Sequence, residues 1–289
     1  MKLVIFGLGF TAQAFVAFAG TRFSSITATV RSPERAAELS RTGLDVFVFN
    51  DTTSDPRLET ALMTADAVLV SAGPDDFGDP VLRHFKTVIE QSSTVRWIGY
   101  LSTIGVYGDA QGGWVDETTL VDPSHKRTKM RVAVEQEWLA LGTRAQKSVQ
   151  IFRLAGIYGP GRNPIINLKN RAQRIIKPEQ VFNRIHVDDI AQTLLASLAQ
   201  PRAGAIYNVT DDEPAPPQDV LLYAAELLGV EPPPEVPFEK AQMSEMARSF
   251  YADNKRVSNR LIREELGVKM LFPTYREGIR ALAAAGEGC

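Results

Sequence analysis

The chain opens on Lys2-Leu3-Val4-Ile5-Phe6-Gly7-Leu8-Gly9-Phe10-Thr11-Ala12, and this stretch constrains what the rest can fold into. Leu3 to Phe6 is a short apolar run of the kind that forms a strand buried on both faces. A G-x-G-x-x-A turn, Gly7 to Ala12, follows with no spacer. Each small residue has a steric task. Gly7 permits the tight turn, Gly9 lets main chain approach a pyrophosphate, and Ala12 lets the next helix pack closely on its strand. Free N–H groups and the positive end of that helix then face the phosphates. A tight turn needs glycine for steric reasons alone, so context decides. Here the turn follows a strand and opens an apolar segment, Thr11 to Phe18, with the composition of a buried helix. The expectation is a dinucleotide site built on Gly7, Gly9, Phe10, Thr11 and Ala12.

Strand and helix signals alternate from there. Ser25 to Val30 is rich in β-branched residues and reads as a second strand. Ser32-Pro33-Glu34 is a helix start, with a hydroxyl cap, proline at the first position and an acid in the first turn. At the end of this strand an NAD-preferring protein places Asp or Glu on the ribose 2′-hydroxyl, whereas this chain has Arg31. A guanidinium with the Ser32 hydroxyl can hold a 2′-phosphate, so NADP is the expected cofactor, with NAD possible. The alternative is that Arg31 and Arg35 are solvated residues at a helix start. A third strand, Asp45 to Phe49, leads to Asp51, which either binds the adenine amino group or caps a turn. A helix over Pro56 to Thr64 and a fourth strand over Ala67 to Ser71 precede Ala72-Gly73-Pro74, small enough for backbone to approach the nicotinamide half. Asp79 to Ser92 reads as a helix and Arg96 to Ser102 as a fifth strand. This alternation implies an α/β fold, a doubly wound parallel sheet with helices on both faces.

Among its 289 residues the only cysteine is Cys289 and the histidines are His84, His125 and His186, which excludes an internal disulfide framework and makes a metal centre improbable. A formal net charge of -2 gives no global reason to expect nucleic acid or membrane partners. No apolar run reaches spanning length, and the N-terminus lacks the form of a signal peptide, so the expected compartment is cytoplasmic. Prolines crowd after residue 210, at Pro214, Pro216, Pro217, Pro232, Pro233, Pro234 and Pro237, and point to an irregular, smaller region packed on the first.

Four later stretches, Leu101-Ser102-Thr103-Ile104-Gly105-Val106-Tyr107-Gly108, Arg153 to Arg162 (RLAGIYGPGR), Arg184 to Ala191 (RIHVDDIA) and Tyr207-Asn208-Val209, carry a resemblance in the right order. The chain resembles the extended short-chain dehydrogenase/reductase superfamily, in its NAD-dependent epimerase/dehydratase branch, over residues 1 to about 210. Asn254 to Asn259 (NKRVSN) is similar to an atypical subgroup. The resemblance implies a Rossmann-type NAD(P)-binding domain over 1–160 plus 185–210, with a smaller substrate lobe over 161–184 plus 211–289. It implies that Thr103 orients a substrate oxygen, that Tyr158 to Arg162 lie near the nicotinamide, that Asn183 and Arg184 face the substrate cleft, and that a homodimer is possible.

The family places Tyr-x-x-x-Lys at the start of the next helix, and this chain departs from it. An ungapped alignment on Glu135 puts Arg127 at the tyrosine and Arg131 at the lysine. Arg127 stays protonated and cannot shuttle a proton as a phenol does, while Arg131 can still serve as a fixed charge and ribose ligand. A second alignment, with a two-residue insertion, places His125 and Lys129 there instead, and histidine is a competent acid or base. Tyr107 is the nearest phenol and a third candidate donor. Met130, Val134, Trp138 and Leu141 follow helical spacing and should face the core, with Arg127, Arg131 and Glu135 on another side. Lys126, Arg127, Lys129 and Arg131 crowd a helix start with no acid between Pro123 and Val134, an arrangement that invites an anion. In the last of the motifs, Asp188 or Asp189 is expected to cap a helix to Leu198 and His186 to support packing.

Two functions stay open at this point. One is an NAD(P)-dependent oxidoreductase, epimerase or dehydratase acting on a small, anionic alcohol, ketone or sugar derivative. The other is a cofactor-binding sensor that has kept the fold and lost the chemistry.

Overall fold

The computed structural model describes residues 1–50, 52–169 and 173–288. The first half alternates as the sequence pattern requires: β1 (Lys2–Phe6), α1 (Phe10–Ala19), β2 (Ser25–Val30), α2 (Pro33–Ser40), β3 (Asp45–Val48), α3 (Arg57–Thr64), β4 (Ala67–Val70), α4 (Pro80–Gln91) and β5 (Trp97–Thr103). After a short β6 (Trp114–Val115) come α5 (Lys126–Ala145), β7 (Ser148–Leu154), β8 (Gly156–Tyr158), α6 (Pro164–Lys169), β9 (Arg174–Ile176), β10 (Arg184–His186), α7 (Val187–Ala199) and β11 (Ile206–Val209). The remainder carries α8 (Pro217–Leu228), β12 (Glu235–Pro237), α9 (Glu245–Ser249), β13 (Arg256–Val257), α10 (Arg260–Glu264) and α11 (Tyr275–Ala284).

Seven strands form one parallel sheet in the order β11-β7-β5-β4-β1-β2-β3. The order reverses between β1 and β4, so the crevice at their carboxyl ends is the ligand position of a doubly wound sheet. Apolar strands explain the two-layered core. One face packs Leu8, Phe15, Ile190 and Leu194 of the α1 and α7 side. The other packs Leu58, Leu62, Phe85, Val134, Trp138 and Leu141 of α3, α4 and α5. Helical spacing of the last three residues therefore places α5 as expected, with Met130 partly buried beside them.

A separate apolar cluster of Tyr158, Ile165, Ala215, Val220, Ala224, Tyr275, Ile279 and Leu282 packs α6, α8 and α11 together. The region after residue 210 is more regular than its prolines imply, because they occupy permitted places. Pro216 and Pro217 start α8, and Glu235–Pro237 pairs in parallel with Arg174–Ile176. The Asn254 to Asn259 motif is tied to distant main chain: Asn254 Nδ2 donates to Glu179 O at 3.0 Å, and Asn259 Nδ2 to Thr210 O at 2.8 Å.

Candidate functional site

The glycine turn has the geometry its spacing demands. Gly7 sits at φ +89°, and a Cβ there would lie 2.9 Å from Ala72 N, so only glycine lets β1 and β4 approach at the crevice. Gly7 N donates to Thr29 Oγ1 at 3.0 Å and Leu8 N to Thr29 O at 2.8 Å, which ties the turn to β2. Gly9 caps α1 without a side chain, and nothing lies within 4 Å of where its Cβ would be. The first main-chain bond of α1 runs from Gln13 N to Gly9 O, leaving the N–H groups of Phe10, Thr11 and Ala12 ahead of it. An open approach above donors alone suits a pyrophosphate.

At the end of β2, Ser32 accepts from Arg35 N at 3.3 Å as the helix cap, and Arg31 is exposed with its carbonyl accepting from Asn50 Nδ2 at 2.9 Å. The Arg31 guanidinium makes no hydrogen bond or ion pair among the described residues. Asp51 lies outside the described residues.

On the other side of the crevice Arg131 reaches from α5 across to the end of β5. Its Nη1 donates to Leu101 O at 2.8 Å and Tyr100 Oη at 3.0 Å, while Nη2 lies 2.9 Å from where a Gly73 Cβ would sit. The guanidinium occupies the space beside Gly73 that a side chain would take. Arg131 thus holds a fixed positive charge against the Ala72-Gly73-Pro74 ledge. Thr103 follows at the end of β5, half-buried, and its Oγ1 accepts from Gly105 N at 3.1 Å. The hydroxyl proton is left to donate elsewhere.

The first turns of α5 are only partly as the charge pattern implies. Arg127 is exposed, with its guanidinium 5.5 Å from the Phe250 ring centroid of the smaller lobe. Lys129 is exposed too. Lys126 finds an acid from elsewhere in the chain, Asp76, at 2.6 Å. His125 is the residue that caps α5, and its Nε2 is buried with no hydrogen-bond partner among the described residues. Glu135, on the side of α5 that carries the two arginines, is buried, pairs with Arg153 at 2.7 Å and accepts from Ser102 Oγ. No local spacing announces that partnership, because Arg153 arrives on β7 from a different element.

Several residues assigned to the cleft have other company. Tyr107 is buried beneath Arg153, and its hydroxyl donates to Asn208 Oδ1 at 2.8 Å; burial pushes that phenol above its ordinary range. It is engaged rather than free to give a proton. Asn183 spends its amide on main chain, donating to Lys255 O at 3.0 Å and accepting from Val257 N at 2.9 Å. The Tyr158 ring packs edge-on against His186, with its hydroxyl 2.1 Å from where a Gly278 Cβ would lie, so it fills the smaller lobe. Arg184 is half-buried, and its Nη1 donates to Phe182 O and Ala215 O at 3.0 and 3.1 Å. Burial draws its guanidinium below its usual range. Neither expected aspartate caps α7. His186 Nδ1 does, accepting from Asp188 N at 3.2 Å, while Asp189 accepts from Leu271 N and Phe272 N at 2.7 and 3.0 Å.

No protein-family model matches the chain. It is 46% identical to a functionally unknown conserved protein from Silicibacter pomeroyi DSS, whose structure superposes with a TM-score of 0.88 over 99% of both chains. Protein YeeZ of Escherichia coli K12 is 28% identical over 286 residues, 94% of this chain and 96% of that one. A 3-diazoavenalumate denitrifying reductase of Streptomyces is 29% identical over 141 residues, 45% of each chain. The fold is also that of dTDP-glucose 4,6-dehydratase from Bacillus anthracis in complex with NAD, with a TM-score of 0.80 over 99% and 96% of the two chains at 16% identity.

Proposed function

For a chain that belongs to one family with the Silicibacter pomeroyi protein, on the Rossmann-type fold of the NAD-dependent epimerases and dehydratases, we propose an NADP-preferring enzyme that transfers hydride to or from a small anionic alcohol or ketone. The observation that carries the reading is Arg131. It stands at the lysine position, anchored on Leu101 O and Tyr100 Oη against the Gly73 ledge.

The bound nicotinamide supplies or accepts the hydride. The chain's own residues do the rest. The glycine turn gives main-chain donors to the pyrophosphate, and Arg31 with Ser32 meets a 2′-phosphate. The Thr103 hydroxyl donates a hydrogen bond that orients the substrate oxygen, and in the reducing direction the proton that completes the alcohol comes from water. Arg127 and Arg131 stabilise negative charge as it develops on that oxygen, a preorganised clamp that needs no proton of its own. Two fixed cations beside that oxygen also select an anionic substrate. The likeness to a reductase over part of the chain favours reduction as the direction.

Calorimetric titration with NADP and NAD tests the cofactor half. Micromolar binding of NADP, weakened about tenfold by Arg31→Ala with NAD unaffected, is expected from one lost charged hydrogen bond. For the chemical half, anionic carbonyl compounds are screened for oxidation of NADPH, and Arg127→Ala should abolish turnover while nearly preserving cofactor affinity.

One observation favours a second reading, a cofactor-binding sensor. The tyrosine of the family motif is replaced by an exposed arginine, and Tyr107 is engaged with Asn208. A sensor would bind oxidised and reduced cofactor with different affinities and turn over none of the screened compounds.

A further inference from the structure

We infer that Arg162 is a phosphate ligand of the dinucleotide, closing over the glycine turn from the loop after β8; this rests on the dinucleotide reading above. The loop is held firmly. Gly159 N donates to Arg162 O at 2.9 Å and Arg162 N to Gly159 O at 3.0 Å, so the turn is closed by its own main chain. Asn163 Nδ2 donates to Gly159 O at 2.9 Å, and Gly161 N donates to Glu287 Oε1 at 2.6 Å.

This rigid loop lies directly on the first residue of α1. A Cβ on Gly159 would come within 2.7 Å of Val187 and 3.3 Å of the Phe10 ring. From there the exposed Arg162 guanidinium stands 5.8 Å from the Phe10 ring centroid. It makes no hydrogen bond or ion pair among the described residues. Glu287, the carboxylate that frames the loop, already accepts from Gly161 and Asn163.

Phe10 thus carries a guanidinium over its ring and a main-chain N–H that precedes the first bond of its helix. Both groups are donors. Beside them, nothing lies within 4 Å of where a Gly9 Cβ would be. A planar fork of charged donors near main-chain N–H groups suits adjacent phosphates, which take donors from more than one direction. The motif reading placed this loop near the nicotinamide; the contact with Phe10 brings its cation to the phosphate end instead.

The test is calorimetric titration of the full chain with ADP, for the natural protein, Arg162→Ala and Arg162→Lys, with thermal melting of each ligand-free protein. Arg162→Ala should weaken ADP about tenfold or more. Arg162→Lys should recover part of that loss, and ligand-free melting should not change. Unaltered ADP affinity in Arg162→Ala overturns the inference alone, and so does a large fall in its ligand-free melting temperature, which would place Arg162 in the scaffold. Failure of the natural protein to bind ADP or NADP overturns the dinucleotide reading and this inference together.

Discussion

The two sides of the crevice are built on different principles. On the β1 side the groups proposed for recognition are main-chain N–H groups, beside glycines, Gly7 and Gly9, that carry no side chain to block them. On the β5 side the groups proposed for recognition are side chains, Thr103, Arg127 and Arg131, of which Arg131 is held by Leu101 and Tyr100 of β5 itself. Backbone recognition is fixed once the turn forms. Side-chain recognition has to be braced, and the brace here is buried: Glu135, one turn beyond Arg131, is locked by Arg153 and Ser102. The difference teaches that a main-chain surface is set by the turn alone, whereas a side-chain surface depends on what braces it.

The most damaging way to break the comparison is through that brace. Glu135→Ala leaves Arg153 buried without its carboxylate and should cost about 3–5 kcal/mol, read by denaturant unfolding. Replacing both partners, with Glu135→Leu and Arg153→Met, should recover much of the loss; if the double variant is no better than the single one, the pair is not what braces α5.

Smaller in effect, and on the opposite side, is Gly7→Ala. A non-glycine residue held at φ +89° costs about 1–3 kcal/mol from conformation alone, before the contact with Ala72. Cofactor binding should fall with stability in this variant. In Arg127→Ala, turnover should fall while stability and cofactor affinity hold. Titration and melting of the two variants side by side separate the two principles.

The smallest effect sharpens the contrast between a paired and an unsatisfied buried acid. Asp211 is buried like Glu135, yet its Oδ2 has no hydrogen-bond partner among the described residues, and burial raises its carboxyl well above the ordinary value of 3.8. A raised folded value means that the stability it contributes is fully present below pH 3.8 and is lost as the pH rises through the folded value. Asp211→Asn should remove that decline. Melting temperatures measured from pH 4 upward check it, and an unchanged pH profile would show that Asp211 does not titrate differently on folding.

Much of this was legible in the sequence where the cause is local. β2 begins and ends at the residues its composition marks, Ser32 caps α2 by the hydroxyl that precedes its proline, and the apolar spacing of α5 sets which face is buried. The same periodicity set the side of α5 on which Glu135 lies but not its burial, because a carboxylate is buried only with a partner and Arg153 comes from another element. The sequence suggested aspartate caps for α7 where the imidazole of His186 is used.

The sequence by itself determined the glycine turn and the alternation that makes a doubly wound sheet, since each depends on residues close together in the chain. Tertiary structure alone decided that Arg131 rests on Leu101 and Tyr100, that Glu135 meets Arg153, that Asn183 and Tyr158 serve the scaffold, and that Arg162 reaches Phe10. Those are meetings of long side chains carried by separate elements. Only the packed sheet, which sets the distance and rotation between those elements, specifies which pairs can touch.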